Sequence, residues 1–188
     1  MNLVERIKGI LLQPKSEWQV IEREPGDAGY LFTNYVAIVA AIPAVCTFIG
    51  TSIIGFGPYR ISIMGGILRA VVVYVLALIS VFVAAYIIDF LAGTFGARRN
   101  LDNAMKVSAY APTAAWVAGV FNIIPALAIL GILGLYSLYL LYTGIAVLMK
   151  PPADKALIYT IVVIVCAIIL WTIVFTIPAM LFGMSMMM

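Results

Sequence analysis

The sequence predicts an all-α, polytopic membrane protein with five transmembrane helices behind a short N-terminal amphipathic helical segment. Three observations carry this. Of 188 residues, 65% are hydrophobic and 10% charged, whereas a soluble domain carries about 25% charged residues. Apolar runs of membrane-spanning length recur along the chain, separated by short polar turns. Nine Lys and Arg residues fall on one side of the resulting topology (Arg6, Lys8, Lys15, Arg23, Arg98, Arg99, Lys106, Lys150, Lys155) and two on the other (Arg60, Arg69). That bias places the N-terminus in the cytoplasm and the C-terminus in the periplasm or outside the cell.

Taken in order, residues 1–29 form a cytoplasmic amphipathic segment and residues 30–188 the five-helix transmembrane domain. Leu3, Val4, Ile7, Ile10 and Leu11 share one helix face, and Asn2, Glu5, Arg6 and Lys8 fill the other. These charges stand where the apolar core of a signal peptide would be, so none is expected. Pro14 breaks this helix. Ser16 and Gln19 have capping-box spacing, which predicts a second short helix carrying Trp18 and Ile21 on one side. The pair could lie in the headgroup layer with Trp18 at the boundary, or pack on the ends of the spans.

The spans are expected at about 33–54, 67–91, 104–124, 127–149 and 156–177. The first contains Pro43, which frees the Val39 carbonyl and should kink the helix. Its Ala37, Ala40, Ala41 and Ala44 have the spacing of a close helix–helix contact. The second span carries Arg69 near its start and Asp89 near its end. About 20 residues of helix separate them by roughly 30 Å, so they cannot pair. Asn100 and Asp102 suit the N-cap of the third span, and Pro112 kinks it. A single helix from Ala104 to Met149 would be about 69 Å long, too long for a bilayer, so a turn is required. Asn122 to Pro125 is its best place, with Gly131 to Gly134 the alternative. Asp154 suits the cap of the fifth span, and Pro178 should end or kink it.

Histidine is absent, and Cys46 and Cys166 sit alone in apolar runs, so buried free thiols are expected and a metal site is not. No phosphate-binding loop, nucleophile elbow or dinucleotide fingerprint is present. The expectation is therefore no enzyme, no cofactor and no nucleic-acid partner. The partners expected are membrane lipids, another membrane protein or a second copy of the chain.

The candidate binding or transport residues are Asp89, Arg98, Arg99, Lys106, Pro112, Asn122, Tyr136 and Tyr139, with Pro43 and Pro112 as candidate kinks. An acid inside a span is a functional candidate by default. Beside Arg98, Arg99 and Lys106, Asp89 is better read as a structural ion pair or helix-end anchor. With no second carboxylate in the spans, a proton-coupled carrier would depend on Asp89 alone. Kinked helices can line a substrate path, but nearby Ser108, Thr113 and Thr47 favour plain kinks. Tyr136, Tyr139 and Tyr142 wind around their helix; Asn122, Ser137 and Thr143 are the expected partners of their hydroxyls.

Several stretches are jointly informative: LLQPKSEWQVIE near the N-terminus, AAIPAVCTFIGTSIIGF in the first span, the module from Asp89 through Lys106 to Pro112, and YSLYLLYTGI in the fourth span. In this order and spacing they resemble the Yip domain family, in its bacterial inner-membrane branch, over nearly the whole chain. The resemblance implies a five-helix bundle in the inner membrane. Eukaryotic members of that family are five-span Golgi and endoplasmic-reticulum proteins that associate with Rab-type GTPases. This chain lacks their long N-terminal region and their aspartate-leucine-tyrosine-glycine-proline motif, so the trafficking role does not transfer. Two function classes follow. One is a non-enzymatic protein that organises membrane or binds a protein or lipid partner. The other is a small transporter, channel or lipid translocator built around Asp89 and the kinked helices.

Overall fold

The computed structural model describes residues 2–55 and 60–183, and all regular structure among them is helical. The chain begins with a helical hairpin. Helix α1 (Leu3–Leu12) is capped by Asn2, whose side chain accepts from the Val4 and Glu5 amides. Helix α2 (Pro14–Arg23) starts on its proline, where the missing N–H costs nothing. Ser16 is therefore not the N-cap that the capping-box spacing suggested. It lies in the first turn and its hydroxyl donates to the Gln13 carbonyl.

Helix α3 (Ala28–Ile54) starts before the expected residue 33, because Asp27 caps it by accepting from the Tyr30 amide at 2.9 Å. Wider π-helical turns at Phe32–Val36 and Ile49–Ile54 flank its α-helical middle, which contains Pro43. Gly55 ends it at φ 78°, a left-handed value that glycine adopts without strain. Helix α4 (Ile63–Thr94) is capped by Ser62 and runs 32 residues, roughly 48 Å, longer than the expected 67–91.

The segment expected as the third span is the one that departs from a simple rod. It comprises α5 (Leu101–Tyr110), α6 (Thr113–Ala118) and a 3-10 turn at Gly119–Ile123. The break falls at Ala111–Pro112, where proline cannot donate to the preceding turn. Asn100 caps α5 through the Asn103 amide, so Asp102 is a first-turn residue and not the cap. Helix α7 (Pro125–Met149) follows the extended residue Ile124, at the turn expected between Asn122 and Pro125. Its first part, Pro125–Leu135, is wound as 3-10 helix, so Gly131 and Gly134 do not interrupt it. Lys150, at φ 48°, ends the helix. Helix α8 (Ala156–Gly183) passes Pro178 and continues beyond the expected residue 177.

Helices α3, α4 and α7 and the part of α8 from Ala156 to Val174 are long and apolar enough to cross a membrane. Together with the broken α5–α6 segment they make an all-α, multi-pass membrane protein. In the long helices most large apolar side chains point outward, as lipid-facing surfaces require; Ile79, Phe90, Ile129 and Ile168 are examples. Helix α5 does the reverse: every residue from Ala104 to Ala111 is buried, including Lys106 and Ser108. It is the axis of the bundle, enclosed by α3, α4, α7 and the N-terminal hairpin.

Close approach is made by small residues. A Cβ at Gly119 would meet the Pro43 Cβ at 2.6 Å, so the kinked middle of α3 rests on the 3-10 turn. A Cβ at Gly50 would collide with the Asn122 carbonyl oxygen in the same crossing. Ala40 and Ala44 of the alanine-rich α3 are buried, consistent with the close contact their spacing predicts. Helices α4 and α8 are joined by the Tyr159 hydroxyl, which donates to the Ile88 carbonyl at 2.5 Å, and by stacking of Phe95 on Tyr159. Both cysteines are free.

Candidate functional site

The polar chemistry of this chain gathers at one end of the bundle, where the hairpin meets α5. Two forces seat the hairpin. The first is apolar: Ile10, Trp18 and Ile21 are fully buried. Trp18 lies flat on Gly144 of α7, where a Cβ would meet the indole at 2.7 Å, and its ring N–H donates to the Thr143 hydroxyl at 3.1 Å. The second is ionic. Arg6 is 5% exposed and its guanidinium reaches both the Glu17 and the Glu24 carboxylates while lying over the Tyr110 ring at 5.6 Å. The sequence pattern had put Arg6 on a solvated face. Two carboxylates from α2 and the turn after it make burial of the charge tolerable.

Lys106 completes the seat from below. Its ammonium donates to the Ile21 carbonyl at 3.0 Å and the Glu24 carbonyl at 2.5 Å. The Ile21 carbonyl also accepts from the Glu24 amide at 3.3 Å, and Glu24 is the residue that caps α2, so the cation meets the negative end of the helix dipole. Lys106 thus belongs to the hairpin and not, as its place in the sequence suggested, to the Asp89 group. Glu24 is used twice, by Arg6 through its carboxylate and by Lys106 through its carbonyl.

Beneath the hairpin lies a compact aromatic and hydroxyl cluster. Tyr35 and Thr113 share a hydrogen bond at 2.7 Å, and Thr113 also donates to the Tyr110 carbonyl across the Ala111–Pro112 break. Tyr110 meets both Tyr35 and Trp18 edge to face, at 4.5 and 6.3 Å. Pro112 therefore opens a helix turn that Thr113 closes locally, the plain-kink arrangement. At the start of α6 the Ala115 amide finds a partner in the Ser137 hydroxyl at 3.0 Å.

A cavity of about 370 Å³ opens beside this seat, lined by Glu24, Asp27, Tyr30, Asp102 and Lys106 above an apolar wall that includes Leu31, Met105 and Tyr110. Its volume is in the range of small-molecule sites. Among the described residues no cluster of three or more metal-ligating side chains is present.

Asp89 lies elsewhere. Its carboxylate, 14% exposed, accepts from Arg99 at 2.9 Å, an ion pair that ties the end of α4 to the following loop. Arg98 contributes its backbone amide, which donates to the Met149 carbonyl at 2.8 Å, and Asn103 reaches the Leu148 carbonyl. Lys150 pairs with Glu22. The loops after α4 and α7 are thereby locked to each other and to the hairpin.

The remaining candidates do not join this site. Asn122 donates to the Thr47 hydroxyl at 3.3 Å, near the Pro43 crossing. Tyr136 and Tyr139 pack on one another at 5.4 Å and are exposed on α7. Their expected hydroxyl partners are engaged elsewhere: Asn122 with Thr47, Ser137 with Ala115, Thr143 with Trp18. The candidate set thus divides into four places: the hairpin seat, the Asp89–Arg99 pair, the Asn122–Thr47 contact near Pro43 and the outer face of α7.

The sequence model of the Yip1 domain matches residues 8–187. The inner membrane protein YohC of Escherichia coli K12 is 32% identical over 127 residues, and the same protein from Escherichia coli O6:H1 matches equally. The matched stretch covers 65% of this chain and 65% of each relative, just under two thirds of its length. No solved structure matches with significance.

Proposed function

This chain belongs to the Yip1 domain family, and from that premise we propose that it is a non-enzymatic protein of the bacterial inner membrane that organises membrane or binds a protein or lipid partner through its charged cap. The inner-membrane location rests on the printed description of the Escherichia coli relative. The cytoplasmic N-terminus and the periplasmic or extracellular C-terminus rest on the asymmetry of Lys and Arg.

The observation that carries the reading is the way the cap is fixed. Hairpin, loops and α5 are bound together by Arg6, Lys106, Lys150 and Arg99, each with a protein acceptor. A surface held in one conformation suits recognition, because little ordering entropy is lost when a partner docks. Asp89, the acid a proton-coupled carrier would require, is held by Arg99.

One observation favours the transporter or translocator alternative: the broken α5–α6 helix with a cavity beside it that carries charged side chains on a largely apolar lining. Reconstitution of the full chain into liposomes separates the two. The binding reading expects no saturable flux of protons, sodium ions or labelled phospholipid above empty vesicles. A flux that Asp89→Asn or Lys106→Met abolishes, with helical content intact, replaces it with transport. A photo-crosslinking residue at position 98 is expected to trap a discrete partner in membranes. If it traps only bulk lipid and no discrete species, the cap is not a docking surface for a protein.

A further inference from the structure

We propose that Arg69 and Arg60 form a binding site for the phosphate of an anionic phospholipid at the end of the bundle remote from the hairpin. The starting point is a charge imbalance in the chain. All eight acidic residues (Glu5, Glu17, Glu22, Glu24, Asp27, Asp89, Asp102, Asp154) belong to the hairpin or to the helix ends and loops beside it. The opposite end has two arginines and no acidic side chain. Arg69 and Asp89 are 20 positions apart on one continuous helix, about 30 Å along its axis.

Arg69 is not at the rim. Counting from Ile63, it lies six residues into α4, about 9 Å down the helix. It is half-buried, and makes no ion pair or side-chain hydrogen bond among the described residues. A guanidinium with no counter-ion is costly in an apolar span, and its long side chain relieves the cost by turning toward the headgroup layer. The anion available in that layer is a phosphodiester. The planar fork of arginine donates two parallel hydrogen bonds to it, which an ammonium cannot match.

The local structure concentrates positive potential at this corner. The Ile61 amide donates to the Thr51 carbonyl at 3.1 Å, folding the segment that carries Arg60 back onto the last turn of α3. Arg60 is exposed there, beside the N-terminus of the 32-residue α4, the positive end of its dipole. Ser52, in that last turn, is 6% exposed, and its hydroxyl has no hydrogen-bond partner. It presses on Gly66, where any Cβ would collide with it. Gly66 and Arg69 are neighbours at i and i+3 on the α4 surface. Two cations thus lie at an end that holds no acidic side chain, while the Ser52 hydroxyl is sealed between α3 and Gly66. Such a corner favours a lipid with net negative charge over a zwitterionic one, whose own ammonium would be repelled.

The site lies at the opposite end from the charged cap, so it stands or falls independently of the function proposed above. The test is native mass spectrometry of the full chain in mild detergent, titrated with phosphatidylglycerol and, separately, with phosphatidylcholine. The wild type is expected to retain phosphatidylglycerol in preference. Arg69→Gln is expected to weaken that binding about fivefold, the effect of one basic residue at a membrane surface, and adding Arg60→Gln to weaken it further. Lys155→Gln, at the other end, is expected to leave it unchanged. Inorganic phosphate in excess is expected not to displace the lipid; displacement would mean a free-phosphate site and overturn the lipid assignment. Wild-type affinity in the double variant, or an equal loss in Lys155→Gln, also overturns it. If Arg69→Gln does not fold, Arg60→Gln and Arg69→Lys decide: both are expected to bind more weakly, and unchanged affinity in both refutes the site.

Discussion

The two ends of this bundle handle charge in opposite ways. At the hairpin end, cations are buried and met by protein: Arg6 by two carboxylates, Lys106 by two carbonyls. At the other end Arg60 and Arg69 have no acidic side chain to meet them. The difference is instructive because both ends obey the same electrostatics. A charge leaving water must find a partner; one end finds it in the chain and the other faces the headgroup layer for it. Removing a cation should therefore destabilise the protein at one end and leave intrinsic stability nearly untouched at the other.

The largest effect is expected at the hairpin seat. Trp18→Ala removes a fully buried ring and its bond to Thr143, and should cost about 3–5 kcal/mol. Thermal unfolding in detergent measures the loss, and faster protease cleavage near Gln13 shows that the hairpin has come away. Lys106→Met keeps the volume but takes the ammonium donor away from two carbonyls at the C-terminal end of α2. A loss of about 1–3 kcal/mol is expected, and an unchanged midpoint would mean that the buried ammonium does not hold the hairpin. Asp89→Asn breaks a pair whose arginine side chain is 62% exposed, so at most about 1 kcal/mol should be lost. Smallest of all, Arg69→Leu in lipid-free detergent should shift stability by no more than about 0.5 kcal/mol. A loss as large as that of Lys106→Met would erase the contrast between the two ends.

What could be read from sequence follows from where the determining forces lie. Long apolar runs and the Lys and Arg count are local properties, so the all-α membrane class was legible. So was the turn at Ile124, which the bilayer thickness demands. The Asp89–Arg99 pair was legible because its members are ten residues apart. The hairpin seat was not. Arg6 looked solvated because Glu17 and Glu24 face it only after α1 and α2 fold back on each other. Lys106 looked like a helix-opening charge because its acceptors are more than 80 residues away. The amphipathic face with Trp18 left two readings open, since a lipid surface and a helix bundle demand the same apolar stripe. The tyrosines of α7 show the converse: membrane depth suggested hydroxyls needing protein partners, but the helix presents Tyr136, Tyr139 and Tyr142 outward.

The bond between Trp18 and Thr143 joins residues 125 positions apart, which sets an order of events during synthesis. The hairpin emerges first, yet the helix that receives Trp18 is among the last made. At roughly 5–20 residues per second, on the order of ten seconds separate the two. Until α5 is made, Trp18 lacks Tyr110 and the Ile21 carbonyl lacks Lys106, and until α7 is made Trp18 lacks Thr143. An amphipathic hairpin is suited to wait on a bilayer surface before it is buried in the bundle. Its amphipathic sequence serves two successive addresses in the life of one molecule.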